Sequence, residues 1–134
     1  MKVEILTLCD AATVDAAGKL NILGSFDRLN APAEPIVHPQ CALAVKLRFE
    51  RIEEGHKKIR VTFVNDDGAA VMPPIDGTAD VRIQGPESSA GVSFALNIQQ
   101  LKLPKFGEYS IDLAVDGRHE GSVPVFVIPT QPPQ

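Results

Sequence analysis

A chain of 134 residues, of which 44% are hydrophobic and 22% charged, is long enough to bury its own core and too apolar to be disordered. Its 17 acidic and 13 basic side chains give a formal charge of −4, which repels phosphate backbones, so we expect no nucleic-acid partner. No apolar run approaches the roughly 20 residues that a membrane-spanning helix needs, so we expect no membrane partner.

The N-terminal run Lys2–Cys9 predicts a first β strand. It is not typical of a lipoprotein signal, because Glu4 interrupts it and Leu8 is too large for the position before a cleavage site. Without an export signal we expect a cytoplasmic protein, in which Cys9 and Cys41 are reduced thiols packed as small apolar side chains.

Apolar residues alternate with polar ones through most of the remaining chain, which is the period of half-buried strands. Three further segments, 2–9, 19–28 and 121–128, are more uniformly apolar, and we expect them to be covered on both faces. The whole pattern predicts about eight strands and little or no helix. The predicted strands cover about residues 2–9, 19–28, 43–50, 58–63, 78–84, 92–98, 109–115 and 121–128. Short strands separated by Gly, Pro and Asp turns indicate an all-β, antiparallel β-sandwich.

Two proline-rich segments interrupt this pattern. Residues 30–40 contain three prolines and predict an extended crossover that joins two sheets. Residues 129–134 have too few apolar groups to pack, so we expect a flexible Pro-rich tail after a single domain of residues 1–128.

Structural roles are predicted for several turn residues and for the single tyrosine. Gly18 precedes the second strand, Gly24 permits a bulge or a close contact within the sheet, and Gly117 forms a tight hairpin with Asp116. Gly107 and Tyr109 resemble the corner of immunoglobulin-like sandwiches, where a Tyr hydroxyl bonds to upstream backbone; the alternative is that Tyr109 is only a core residue.

The segment from Cys9-Asp10 through Gly18–Ile22 to Phe26–Arg28, followed by His38-Pro39 and the Gly107–Tyr109 corner, resembles a family of short bacterial proteins of unknown function. The resemblance covers nearly the whole chain. It implies a small β domain with a C-terminal hairpin, and it implies no activity.

Acidic loops offer one candidate site. If the strands simply alternate in direction, the loops after the first, third, fifth and seventh strands meet at one end of the sandwich, where oxygen ligands can bind Ca²⁺. The candidate ligands are Asp10, Asp15, Glu53, Glu54, Asp116 and His119, with His56 and Glu87 nearby. The competing interpretation is that these carboxylates only form turn hydrogen bonds and keep the protein soluble.

No catalytic motif is present. Leu23-Gly24-Ser25-Phe26 lacks the second glycine of a nucleophile elbow, and the chain has neither a phosphate-binding glycine loop nor a Cys-x-x-Cys pair. We therefore expect neither an enzyme nor a cofactor.

Protein binding is the remaining class of function. The apolar last strand contains Pro124, which is tolerated only at a sheet edge or a bulge. We therefore expect an interaction or structural module that docks to another protein, or to a second copy of itself, through Val123, Val125 and Val127. The alternative function is metal or small-ligand binding by the acidic loops.

Overall fold

Two β sheets pack face to face in the computed structural model, which describes residues 1–130. The strands are β1 (Lys2–Val14), β2 (Leu20–Phe26), β3 (Arg28–Ala31), β4 (Ile36–Glu50), β5 (Gly55–Val64), β6 (Ile75–Val81), β7 (Ser89–Leu103), β8 (Gly107–Val115) and β9 (Arg118–Pro129). The four-stranded sheet has the order β2-β1-β4-β7, and the five-stranded sheet has the order β3-β9-β8-β5-β6. A 3-10 turn, Arg51–Glu53, follows β4. No helix in residues 1–130 is long and apolar enough to span a bilayer.

The core lies between the two sheets and follows the predicted alternation. In β4, Leu43, Val45, Leu47 and Phe49 are buried, and they face the buried Ile111 and Leu113 of β8 in the same cluster. Each such side chain contributes roughly 1.5–3 kcal/mol by leaving water. The all-β sandwich predicted from the sequence is therefore confirmed.

Residues 1–130 form nine strands where about eight were predicted, and one pair of these strands is parallel. The extra strand is β3, which pairs in parallel with Phe126–Pro129 of β9. It was missed because four residues next to a proline-rich segment show too little alternation to indicate a strand. The crossover does join the two sheets, but only residues 32–35 separate β3 from β4.

The proline-rich end of the chain also differs from the prediction. Pro129 belongs to β9, and the backbone N–H of Thr130 donates to the carbonyl oxygen of Ala31 at 2.8 Å. Residues 131–134 of the predicted tail lie outside the described residues.

Coverage on both faces is most complete in β4, and of the segments predicted to have it β1 shows it only at Leu8 and Cys9, which belong to different cores. Residues 41–45 are all buried, because Ala42 and Ala44 form a second small core with Cys9 and Ala12 on the other face of the four-stranded sheet. Small side chains allow this sheet to curl until its edge strands, β2 and β7, have Cα atoms within 8 Å of each other. By contrast, the predicted two-faced strand β2 is exposed over residues 21–25.

The β8–β9 hairpin has the predicted geometry. Its two-residue turn has φ of 51° at Asp116 and 80° at Gly117, the left-handed pair that a tight hairpin needs. Where β8 begins, the hydroxyl of Tyr109 donates to the carbonyl oxygen of Lys105 at 2.6 Å and accepts from its N–H at 3.2 Å. The bond to upstream backbone predicted for this tyrosine is therefore present.

Replacing Tyr109 with Phe tests this corner. The ring of Tyr109 is buried, so its packing survives the change while both hydrogen bonds to Lys105 are lost. We expect the free energy of unfolding to fall by about 1–3 kcal/mol, measured by urea denaturation followed by far-ultraviolet circular dichroism. An unchanged midpoint and slope would show that the corner contributes no stability.

Candidate functional site

The predicted acidic site does not form, because its residues lie at different places in the sandwich. Strand β4 is antiparallel to β1, with Arg48 beside Lys2, so the turn after β4 lies where β1 begins and Asp15 lies at the opposite end. The N-terminal ammonium contacts Glu53 Oε2 at 2.7 Å at the first of these ends. The physical reason for this separation is strand β3. One additional strand reverses the direction of every strand after it, so the later loops lie at the end opposite to the one predicted.

The candidate ligands are thus divided between three places. Asp15 is at one end, Asp10 is inside β1, and the opposite end carries Glu53, Glu54, His56, Glu87, Asp116 and His119. No three His, Cys, Asp or Glu side chains of residues 1–130 lie close enough together to hold a metal ion. The grouping of these candidate ligands at one pole is therefore wrong.

Asp15 organises the β1–β2 turn. Its Oδ1 accepts hydrogen bonds from the backbone N–H groups of Ala17 and Lys19, both at 2.9 Å, and the N–H of Gly18 donates to its carbonyl oxygen. The bond from Lys19 is the main cause that lowers the pKa of the Asp15 carboxyl below its usual value. The Asp15 carboxylate therefore stabilises the turn that contains Gly18.

Asp10 lies over Gly24, its neighbour on β2. Gly24 has a φ of 68°, and a Cβ atom at this position would collide with the Asp10 carboxylate and lie 2.9 Å from its Cγ. The close contact predicted for Gly24 is thus made by a side chain that the sequence suggested as a metal ligand.

The acidic residues of the other end also serve the backbone or pair with cations. Glu53 accepts from the N–H of Glu50 at 2.9 Å, which is the first cause of a lowered pKa at Glu53. Asp116 accepts from the N–H of Lys58 at 2.8 Å. Glu54 pairs with Arg51 at 3.7 Å.

Ser122, His119 and Asp112 lie together on the outer face of the five-stranded sheet but are not arranged as a catalytic triad. Ser122 Oγ donates to Asp112 Oδ1 at 2.7 Å and lies 3.2 Å from His119 Nε2. Because the single hydroxyl hydrogen is directed to Asp112, His119 cannot accept it as a general base would. The arrangement does not activate Ser122.

The two thiols are buried and separated. Cys41 belongs to the main core and Cys9 to the small core, so they point to opposite faces of the four-stranded sheet. Burial raises the pKa of Cys41 to about 11, and burial likewise raises the pKa of Cys9. Neither thiol is a nucleophile at neutral pH.

The predicted docking residues of the last strand are part of the core. Val125 is 0% and Val127 1% exposed, and Val123 packs half-buried against the same cluster. Beyond Val125, β9 is covered on one side by β3 and on the other by β8. The side chains of Val125 and Val127 face the core and are not available to a partner, whereas docking through Val123, which precedes the part of β9 covered by β3, stays a prediction.

The edges of the four-stranded sheet are the surfaces that the sequence did not reveal. Strand β7 is an edge strand of 15 residues, and from Ser89 to Leu101 it contains no charged residue and no proline. The opposite edge strand, β2, is uncharged throughout, and its Leu23 is 70% exposed. The lack of charge is visible in the sequence, but edge position depends on the strand order.

A cleft accompanies β7 where the two sheets separate. It has a volume of about 360 Å³ and lies between β6 and β7. Its apolar lining is half-buried Ile75, Ala79, Val92, Phe94 and Leu96. An apolar groove beside an open strand edge is the geometry that binds an extended peptide segment.

The structure defines a two-sheet β-sandwich protein, and no group of three or more His, Cys, Asp and Glu side chains in residues 1–130 could hold a metal ion. Comparison with families then places the sequence: residues 4–128 match one model, and the chain belongs to the family of unknown function DUF6941. The family resemblance noted in the sequence is confirmed.

Other comparisons add no function. No curated protein matches the sequence. A β-glucuronidase from glycoside hydrolase family 2 is similar in structure, with a TM-score of 0.38 and 15% sequence identity over 68% of this chain. The similarity spans 10% of that enzyme's chain, and neither fold family nor activity follows from it.

The burial of both cysteines leads to a labelling prediction. In the native protein at pH 8, an aromatic disulfide reagent should label neither thiol, because each is inaccessible and its pKa is raised. In denaturant, both should react within the mixing time. Cys9→Ala and Cys41→Ala variants assign the two labels, and rapid native labelling of either thiol would contradict the burial.

The dispersed carboxylates lead to a second prediction. We expect the melting temperature to be the same with Ca²⁺, with Zn²⁺ and with EDTA, because a cation that binds only the folded protein must stabilise it. The measurement is a thermal-shift assay, with Asp15→Asn and Glu53→Gln as variants at opposite ends. A rise in melting temperature that either variant removes would locate a cation site there.

Proposed function

We propose that this protein is a non-catalytic protein-binding module, and that its partner adds an extended segment as a strand beside β7. The observation that carries the proposal is the free edge of β7, which is long and uncharged and borders an apolar cleft. Strand addition uses the backbone hydrogen-bonding groups of such an edge for affinity and adjacent apolar pockets for selectivity.

The other sheet shows how the same chain protects an edge. Strand β6 carries Asp76 and Asp80, and Pro73-Pro74 precede it, while β3 is only four residues long. Charges, proline and shortness are the usual means by which soluble proteins prevent strand addition. Their absence from Ser89 to Leu101 supports the use of β7 for binding.

Side chains on the inner face of β7 suit the proposed partner. Val92, Phe94 and Leu96 alternate along β7 and are half-buried, because β6 covers them only in part. A partner strand with apolar residues at every second position would continue this face and cover the cleft. Burial of apolar area then adds to the backbone hydrogen bonds.

We also propose that the fold is immunoglobulin-like. If β1, β4 and β7 are named A, B and E, and β5, β6, β8 and β9 are named C, C′, F and G, the orders A-B-E and G-F-C-C′ follow. The Tyr109 corner then lies at the start of strand F, as in that fold. In the described residues no strand is hydrogen-bonded to β7 at the place of D, although β2 has Cα atoms within 8 Å of β7.

We further propose a cytoplasmic location. Two free, buried thiols that face different cores support a reducing compartment, because a secreted chain of this size more often uses its cysteines in disulfides.

Site-specific photocrosslinking tests the proposed binding edge. A photoreactive amino acid replaces Asn97, an exposed residue of β7, or Asn30, an exposed residue of the short edge strand β3. In cells that make the protein, we expect irradiation to give discrete adducts from position 97 and none from position 30. The adducts are identified by mass spectrometry, which also maps the crosslinked segment of the partner.

A protected version of β7 is the control. Ser93→Glu places a charge in the middle of the strand, directly opposite Lys46 of β4, and should remove the adducts at position 97 without lowering the melting temperature, because the new carboxylate faces a cation. Equal adducts from positions 97 and 30, or no adduct from position 97, would refute strand addition at β7.

A further inference from the structure

We propose that the strand added beside β7 carries an acidic residue opposite Gly91, where Lys46 and Arg48 of β4 bind its carboxylate. The inference rests on the strand addition proposed above, and it adds a charge requirement to the apolar pattern of the partner. The partner is then an extended segment with apolar residues on one face and Asp or Glu on the other.

Two cationic side chains of β4 lie beside β7 on the outer face of the four-stranded sheet. Arg48 is the register partner of Gly91, and Lys46 is the register partner of Ser93. Arg48 Nη1 donates to Ser89 Oγ at 3.1 Å, so the guanidinium extends across β7. The Lys46 and Arg48 side chains are 36% and 34% exposed, so a strand at the edge of the sheet can contact them.

Gly91 leaves the space through which these cations reach the edge of the sheet. A Cβ atom at Gly91 would lie 3.3 Å from Arg48 Nη2 and 3.3 Å from Lys46 Cε. The two side chains thus lie where a side chain of β7 would otherwise stand. Because opposite residues on neighbouring strands have Cβ atoms about 5 Å apart, a carboxylate opposite Gly91 on an added strand is within reach of both cations.

Lys46 and Arg48 share one carboxylate in the described part of the chain, that of Glu4. Glu4 Oε2 lies 3.0 Å from Arg48 Nε, and Glu4 Oε1 lies 3.9 Å from Lys46 Nζ. The carboxylate of Glu50, which follows on the same face of β4, accepts a hydrogen bond from the backbone N–H of Glu53. Within residues 1–130, Arg48 Nη2 has no hydrogen-bond partner, so it remains to bind a carboxylate of the partner.

The proposed contact lies away from the place where β2 approaches β7. Leu20 of β2 and Ala95 of β7 pack against the same small core, and the pairing of β1 with β2 begins at Leu8. Gly91 lies instead in the row of the sheet that crosses β1 at Lys2. An added strand therefore meets Gly91 beyond the end of the β1–β2 pairing.

Competitive photocapture of designed strands tests the charge requirement. The probes are peptides with valine at every second position and threonine between, in which the central threonine is replaced by Glu, Gln or Lys. A length of about ten residues spans roughly 33 Å, so one peptide reaches both Gly91 and the photoreactive residue at position 97. An equimolar mixture is irradiated with the purified full chain, and mass spectrometry gives the ratio of captured peptides.

We expect the Glu peptide to be captured about fivefold more than the Gln peptide, and the Lys peptide to be captured least. The Glu preference over Gln should fall to about twofold in Lys46→Gln and in Arg48→Gln, and should be lost in the double variant. The peptides compete for the same folded molecules, so a loss of stability in a variant does not change the ratio. Circular dichroism confirms that each variant folds, and Lys46→Gln breaks only the longer of the two contacts with Glu4.

Lys58→Gln is the matched control. It removes the same charge from an exposed residue of β5, on the outer face of the other sheet, and should keep the fivefold preference. Salt at about 1 M should reduce the preference of the unsubstituted chain, because it screens half-exposed charges.

The outcomes separate this inference from the proposed function. Equal capture of the Glu and Gln peptides would overturn the charge requirement and leave strand addition at β7 intact. A Glu preference that survives the loss of both cations would also overturn it, because the carboxylate would then bind elsewhere. Capture of no peptide would overturn strand addition at β7 together with the charge requirement.

Discussion

Burial of β4 on both faces is the constraint on which the rest of the structure depends. Residues 41–45 contribute alternately to the main core and to the small core of alanines and Cys9. A strand buried in this way must pair on both sides, and β1 and β7 are its neighbours. The small second core lets the sheet curl, and it leaves β2 and β7 as the two edges.

The two sheets differ in how well their edge strands could pair with a strand of another chain. The five-stranded sheet ends in a charged strand and a very short one, which discourage added strands. The four-stranded sheet ends in two uncharged strands, one bordered by an apolar cleft and one by an exposed apolar hairpin. The carboxylates of Asp15, Asp116 and Glu54 accept backbone hydrogen bonds in turns or pair with a cation. The uncharged edge beside the cleft is the basis of the strand addition that we propose for β7.

Both predicted sites depended on the arrangement of strands, which the sequence did not show. The acidic pole depended on counting strand directions, and the short strand β3 changes that count for every later loop. Docking through the last strand depended on a sheet edge for β9, and β3 covers that edge from Phe126 to Pro129. Both differences concern which strands are adjacent. Period-two alternation carries no information on adjacency, because every half-buried strand has it wherever it lies.

The sequence by itself determined the strand class, the β8–β9 hairpin and the bond from Tyr109, because each depends on a few consecutive residues. Only the tertiary structure decided which uncharged strands became edges and which alanines became core. The physical reason is that pairing partners such as β4 and β7 are tens of residues apart in the chain. Which of these distant strands pair is decided by the burial of apolar side chains over the whole domain. A local sequence pattern does not contain that information.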